Sequence, residues 1–216
     1  VEEMITHRGM VYMRTARPAT AVIYDNDEEF KIGGSKVHRV QGTGDRVQEK
    51  NQKNSTLNPN PHALIIATGV CVHEALAAQK TLAGDGITAT VIDCYSIKPI
   101  DQETILKESR GVSAVITVED HWSEGGLGDA VLDALFSAGN SISVIPAKAG
   151  IHESKSPQTL MMDPRLRGDD KIKRVPPIYK LAVREMPRSG KPQELMDWAG
   201  ISTSAIIKKV KEIIAQ

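Results

Sequence analysis

Between His62 and Gly139 the chain repeats one alternation three times: a short β-branched apolar run, then a stretch whose apolar residues recur at helical spacing. No other feature of the sequence limits the fold as strongly. ALIIAT (63–68), ITATVIDC (87–94) and VSAVITVED (112–120) have the length and composition of strands buried on both faces. After the first comes VCVHEALAAQKTLAGDG, with apolar residues at 72, 75, 76, 82 and 83 and Gly84 where a residue just past a helix belongs. After the second, Asp101 is placed to cap a helix running to about Arg110. After the third, EGGLGDAVLDALFSAG (124–139) carries apolar residues at 127, 131, 132, 135 and 136. Strand and helix alternating in this way build a mostly parallel sheet from right-handed βαβ units, so the expected fold class is α/β in three αβα layers.

The pattern is weaker on either side. Met10 to Met13 reads as a strand-like run, and Pro18 ends regular structure there. Ala21 to Tyr24 is apolar, DNDEEF (25–30) is an acidic turn, and Lys36 to Val40 is a short strand. Residues 41–61 hold almost no large apolar side chains and cannot bury enough surface to offset their ordering entropy, so they read as a flexible linker. A second irregular stretch, about 143–177, is broken by prolines and reads as a disordered insertion. Structure resumes with a strand at Tyr179 to Val183 and a helix at Gln193 to Trp198. A last amphipathic helix, capped by Ser202 or Thr203, has apolar residues at 206, 207, 210, 213 and 214. The domains expected are therefore 1–40, a linker over 41–61, and an α/β domain over 62–216.

With 27 basic and 27 acidic residues the chain lacks the basic excess of a nucleic-acid binder. No apolar run approaches the roughly 18 residues of a membrane span, and VEEMITHRGM does not read as a secretory leader. Two cysteines, Cys71 and Cys94, give no disulfide framework and suit a reducing, cytoplasmic setting. Candidate chemistry is sparse. Gly125-Gly126-Leu127-Gly128 opens a helix after a strand; such a turn can hold an anion on free backbone N–H groups, but it is not a dinucleotide fingerprint, and glycine as tight-turn filler is the favoured reading. Glu119, Asp120, His121 and Glu124 are the densest polar cluster, and a hydrogen-bonded turn explains them better than a metal site. His73 sits in a first helical turn as a packing residue, and Arg167-Gly168-Asp169 is a chance tripeptide. Arg14 and Arg17 bracket a strand end, where two guanidiniums could grip a phosphate, although on physical grounds alone solvated or salt-bridged arginines are the favoured reading. Composition and spacing thus yield an α/β domain and no reaction.

Four segments together carry more. VYMRTARPATAVIYDNDEEFKIGGSKV, TGVCVHEALAAQKTLAGDGITATVIDCYSIKPID, ITVEDHWSEGGLGDAV and LAVREMPRSGKPQELMDWAGIS resemble, in order, the C-terminal region of transketolase. The resemblance implies that 62–216 is a transketolase C-terminal-like domain and that 1–40 is the tail of the pyrimidine-binding domain with its connecting strand. It implies transfer of two-carbon ketol units between sugar phosphates in the pentose phosphate pathway. Thiamine diphosphate and Mg²⁺ would be bound by an N-terminal transketolase section, in an oligomer, and no cofactor or metal by this chain, which alone would be inactive. It also assigns one site residue: Arg17 would bind the substrate phosphate, with Arg14 structural. SVIPAKAGIHESKSPQTLMMDPRLRGDDK, where the family passes through a short loop, resembles a translated bacterial repeat element. The alternatives are a non-catalytic binding or regulatory module, or the C-terminal part of a 1-deoxyxylulose-5-phosphate synthase or 2-oxo acid dehydrogenase β subunit. A nucleotide-binding enzyme is disfavoured by the missing fingerprint.

If the stretch 143–177 is an insertion, few apolar contacts are lost by shortening it. Replacing it with a short Gly/Ser loop is expected to leave the melting temperature unchanged or higher. Differential scanning calorimetry checks this, and a clear drop would show that the stretch packs on the domain.

Overall fold

The computed structural model describes residues 2–16, 19–40, 62–137 and 176–215. The expected linker 41–61 lies outside them, as does the expected insertion except for Pro176 and Pro177. Those two prolines lead into a strand: Pro176 is buried, and the Pro177 carbonyl accepts a hydrogen bond from the Val115 N–H at 2.9 Å.

Five strands form one sheet: β1 (Lys36–Arg39), β2 (Ala63–Ala67), β3 (Ala89–Asp93), β4 (Ala114–Trp122) and β5 (Ile178–Val183), in the order β1-β3-β2-β4-β5. The pairs β2–β3, β2–β4 and β4–β5 are parallel, and β1 closes one edge antiparallel to β3, with Val37 opposite Ile92. Every residue of β2 and β3 is buried. That is why their sequences read as unbroken apolar runs: a parallel strand with helices on both faces has no wet side.

The helices are α1 (Glu2–Thr6), α2 (Cys71–Gly84), α3 (Gln102–Glu108), α4 (Leu127–Ser137), α5 (Pro192–Ala199) and α6 (Thr203–Ile214). Strand parity divides the core in two. Ala63, Ile65 and Ala67 of β2, with Val91, Ile116 and Val118, pack on Val72, Ala75, Ala78 and Leu82 of α2 and on Ile206 and Val210 of α6. Leu64 and Ile66, with Ile92 and Val115, pack on Ile105 of α3 and on Leu127, Val131 and Leu135 of α4. Each fully buried aliphatic side chain contributes on the order of 1.5–3 kcal/mol, so these two layers hold the sheet in the absence of aromatic bulk. The three-layer α/β architecture expected from the alternation is present.

Three local expectations change. Met10 to Met13 forms no strand; it belongs to no regular element, with Met10 and Tyr12 almost fully exposed. Gly84 is the last residue of α2 rather than the one beyond it, and Gly86, at φ +76°, supplies the left-handed turn. At α6, Ser202 is the N-cap but its hydroxyl bonds no helix amide. Glu74 of α2 does that work: its Oε2 accepts from the Thr203 N–H and from the Thr203 hydroxyl, both at 2.6 Å. A carboxylate thus caps one helix from the first turn of another. Asp101 caps α3 as expected, accepting from the Thr104 N–H at 3.0 Å.

Glu74→Ala strands the Thr203 donors at the α2–α6 contact. It is expected to cost about 1–2 kcal/mol and to lower the melting temperature by a few degrees. Thermal unfolding followed by circular dichroism checks this, with Glu74→Gln falling between; an unchanged midpoint would refute the cap.

Candidate functional site

After β2 the chain turns onto one face of the sheet through α2, and after the neighbouring β4 it turns onto the other face through α4. The carboxyl ends of β2 and β4 therefore part and leave a crevice, the position at which open α/β sheets bind ligands. Its walls are Gly69, in the left-handed region at φ +58°, and the last residues of β4, Glu119, Asp120 and His121.

Glu119 is 1% exposed, and its carboxyl oxygens accept from the Leu127 N–H at 2.6 Å and the Gly128 N–H at 2.9 Å. The glycine turn that could cradle an anion is thus filled by the protein's own carboxyl group, at the positive end of α4. Gly126 is required here: a Cβ would overlap the Glu119 carboxyl and press on His121 Nδ1 at 2.9 Å. The turn is fastened further by Asp129, which accepts from the Gly125 N–H at 2.6 Å and from Lys180 Nζ at 2.7 Å. The Lys180 ammonium, with the Gly125 amide, holds the Asp129 carboxyl below its ordinary range.

Asp120, the next residue, lies with Glu119 in the register irregularity of β4 between Val118 and Trp122, and its carboxylate faces Gly69. It meets Arg14 from the N-terminal arm, 106 residues away in sequence. Nη1 donates to Oδ1 at 3.0 Å, Nη2 to Oδ2 at 2.7 Å, and Nη2 also to the Asp120 carbonyl at 3.2 Å. This is a two-pronged guanidinium–carboxylate pair with a third bond, of the planar geometry that lysine cannot supply. Arg14 remains 50% exposed and Asp120 28%. His121 Nδ1 bonds the Trp122 carbonyl at 2.8 Å and stands 4.0 Å from Glu119. The Glu119–Asp120–His121 cluster, expected as a turn, is instead the end of strand β4, hydrogen-bonded to the α4 amides, to Arg14 and to the Trp122 carbonyl; among the described residues no group of three His, Cys, Asp or Glu could hold a metal ion. Cys71, buried at the start of α2, has its thiol pushed well up by burial and by Asp120, Glu74 and Glu119 nearby.

A second polar cluster ties the arm down at the end of β3. The Tyr24 hydroxyl donates to Asp93 Oδ2 at 2.7 Å and lies 2.9 Å from His38 Nε2 on β1. Phe30 packs edge-on against both Tyr24 and Tyr95, and Gln79 of α2 donates to the His38 carbonyl at 2.9 Å. Sequence reading misses this cluster, since its members stand far apart in the chain and a tyrosine, a histidine and an aspartate at strand ends carry no pattern. The arm's other guanidinium, Arg17, expected to bind phosphate, lies with Pro18 outside the described residues, as does the Arg167-Gly168-Asp169 tripeptide. His73 is half-buried in the first turn of α2, as expected for a packing residue.

A three-layer sheet with a crevice at its carboxyl end and an arginine from an N-terminal arm beside it defines the class: an open α/β domain with a topological switch point between β2 and β4. The family model described as transketolase, C-terminal domain, matches residues 52–148. Transketolase-like protein 2 of Mus musculus is 36% identical over 208 residues, 96% of this chain and 25% of that protein. Transketolase of Homo sapiens is 32% identical over 217 residues, 100% of this chain and 26% of that protein. Among solved structures, one titled "Split gene transketolase, inactive beta4 tetramer" has the same fold, with a TM-score of 0.61, 23% identity, and coverage of 92% of this chain and 48% of that one. The chain carries a transketolase C-terminal domain and is similar to transketolases along 96–100% of its length. It spans about a quarter of the length of the curated relatives it matches. Among the described residues no helix is long and apolar enough to cross a membrane.

The buried cluster generates a pH dependence. Burial holds His38 below the ordinary imidazole range, partly offset by Asp93. The folded chain therefore binds fewer protons at this position than the unfolded one, and stability falls as the pH drops below about 6.5. Asp93 is raised by burial, against the Tyr24 bond and the nearby His38 and His73. Its sign is opposite and it acts lower: protonation on approach to the carboxylate range recovers stability. The urea midpoint is expected to fall between about pH 7.5 and about pH 5.5, and His38→Gln to flatten that slope. Denaturation at the two pH values checks it; equal slopes would remove His38 as the cause.

Proposed function

We propose that this chain acts as the C-terminal section of a transketolase, working with an N-terminal section that holds thiamine diphosphate and Mg²⁺. The observation that carries this reading is that similarity to transketolases runs along the whole chain, arm included, and is not confined to the α/β domain. The described residues do not suit the cofactor. The amides of the glycine turn are taken by Glu119, and Asp120 is taken by Arg14. No diphosphate cradle or paired carboxylates remain for a metal, so the cofactor site is assigned to the partner section and no step is routed through it here.

In this reading residues 1–40 are the tail of the pyrimidine-binding domain with its connecting strand, and 62–216 the C-terminal domain. The chain brings the arm to the crevice, where the Arg17 guanidinium holds the phosphate of a phosphorylated sugar through charge-assisted hydrogen bonds. The complete assembly is an oligomer, transfers two-carbon ketol units in the pentose phosphate pathway, and works in the cytoplasm. A second assignment of the phosphate grip, to Arg14, is favoured by one observation: its guanidinium stands half-exposed at the mouth of the crevice with its plane fixed by Asp120.

Co-expression with an N-terminal transketolase section tests both. The pair should transfer ketol units and the isolated chain should not; a pair without activity would leave the non-catalytic module as the reading. Losing one charge-assisted partner typically costs about 1.5–3 kcal/mol, so Arg17→Ala should raise KM for phosphorylated donors by roughly 10–150-fold. An unphosphorylated donor gives that guanidinium nothing to hold. Arg17→Lys should fall between, since it keeps the charge and loses the fork. Steady-state kinetics with both donor types decide, and a phosphate-selective loss in Arg14→Ala instead would move the assignment to Arg14.

A further inference from the structure

Two neighbouring acidic residues at the end of β4 are spent in opposite directions. Glu119 is locked beneath the first turn of α4 by the Leu127 and Gly128 amides, and Gly126 leaves it the space. Glu119 and Asp120 lie in the register irregularity of β4 between Val118 and Trp122, and fixing Glu119 beneath α4 fixes the backbone from which Asp120 enters the crevice between β2 and β4. There Asp120 offers both carboxylate oxygens and its carbonyl to one guanidinium. The arm has little else to hold it nearby: Met10, Tyr12 and Met13 are exposed, and the next side-chain bond to the domain along the described arm is at Tyr24.

We propose that Asp120, aimed by Glu119, is a positioning residue for substrate phosphate: it docks the arm at Arg14 and so sets the fraction of molecules in which the arm is seated at the crevice. The role rests on the transketolase reading above. Only the docked arm is competent to bind, so the apparent affinity is the intrinsic one scaled by the docked fraction. Asp120 then acts on KM for phosphorylated donors without touching the reacting atoms.

The proteins are the full chain alone and the full chain co-expressed with an N-terminal transketolase section. With the pair, Asp120→Ala is expected to raise KM for phosphorylated donors about tenfold more than KM for unphosphorylated ones, the effect of removing a charge-assisted anchor. Asp120→Asn, which keeps one oxygen acceptor, falls between, and Glu119→Gln gives the same split in weaker form. Lys211→Ala, on the surface of α6, is the control that moves neither KM. Trypsin reads the docking directly on the chain alone: it cleaves after Arg14, whereas Pro18 protects the bond after Arg17. Asp120→Ala should speed cleavage at Arg14–Thr15 about tenfold, with circular dichroism confirming the fold.

Equal losses for both donor types, or an unmoved KM in a folded variant, would overturn the positioning role. So would unaccelerated cleavage. A wild-type pair that transfers no ketol unit sinks the transketolase reading instead, and the proteolysis still decides whether Asp120 docks the arm.

Discussion

The Glu119 carboxyl group lies out of contact with water at the junction of β4 and α4, and a carboxyl there is tolerated only if its oxygens are bonded. The first two amides of α4 bond them, and those amides would otherwise be orphaned at a buried helix start. Each group thus removes the other's desolvation cost. The exchange demands a backbone that folds back sharply without a side chain in the way, which is what Gly126 supplies. From this junction much else follows: where β4 ends, the angle at which α4 leaves to cover Leu64 and Ile66, and the direction in which Asp120 faces.

The same logic operates on the opposite face. There Glu74, in the first turn of α2, bonds the first amide and hydroxyl of α6. The two helices that cross the β2 end and the β4 end are therefore both involved in carboxylate–helix contacts that join segments distant in sequence. In a core with few aromatics, these polar fastenings specify which helix packs where, while aliphatic burial supplies the bulk of the energy.

Physical range explains what the sequence discloses. The strands β2, β3 and β4 and the helices α2, α3, α4 and α6 are legible because each is fixed by neighbours a few residues away: β-branched runs, helical spacing, and Asp101 before α3. The site is not legible that way. The Arg14–Asp120 pair spans 106 residues, Glu74–Thr203 spans 129, and Tyr24–Asp93 spans 69. No local pattern encodes such pairings, so the glycine turn reads as tight-turn filler and Ser202 as a cap. Met10 to Met13 shows the converse. Its strand propensity is real, but a strand needs a ladder partner, and among the described residues none lies beside it. What composition and spacing withhold, the order of four long segments supplies, and the comparisons agree with it on family and fold.

Among the points that hold the arm, Arg14 and Tyr24 differ in chemistry in a useful way. Arg14 is anchored by a half-exposed ion pair, whose strength depends on salt and on geometry. Tyr24 is anchored by a half-buried hydroxyl between Asp93 and His38, backed by edge-on contact with Phe30, an anchor less open to salt. The weaker anchor stands at the crevice and the stronger one away from it. Fixing both ends of the intervening segment charges its ordering entropy to the fold rather than to an incoming ligand. A single strong anchor at Tyr24 would leave that cost to binding, and a strong buried anchor at Arg14 would remove the guanidinium from reach. A solvent-facing, two-pronged pair at the crevice is the arrangement that holds the arm in place and still leaves its charge accessible.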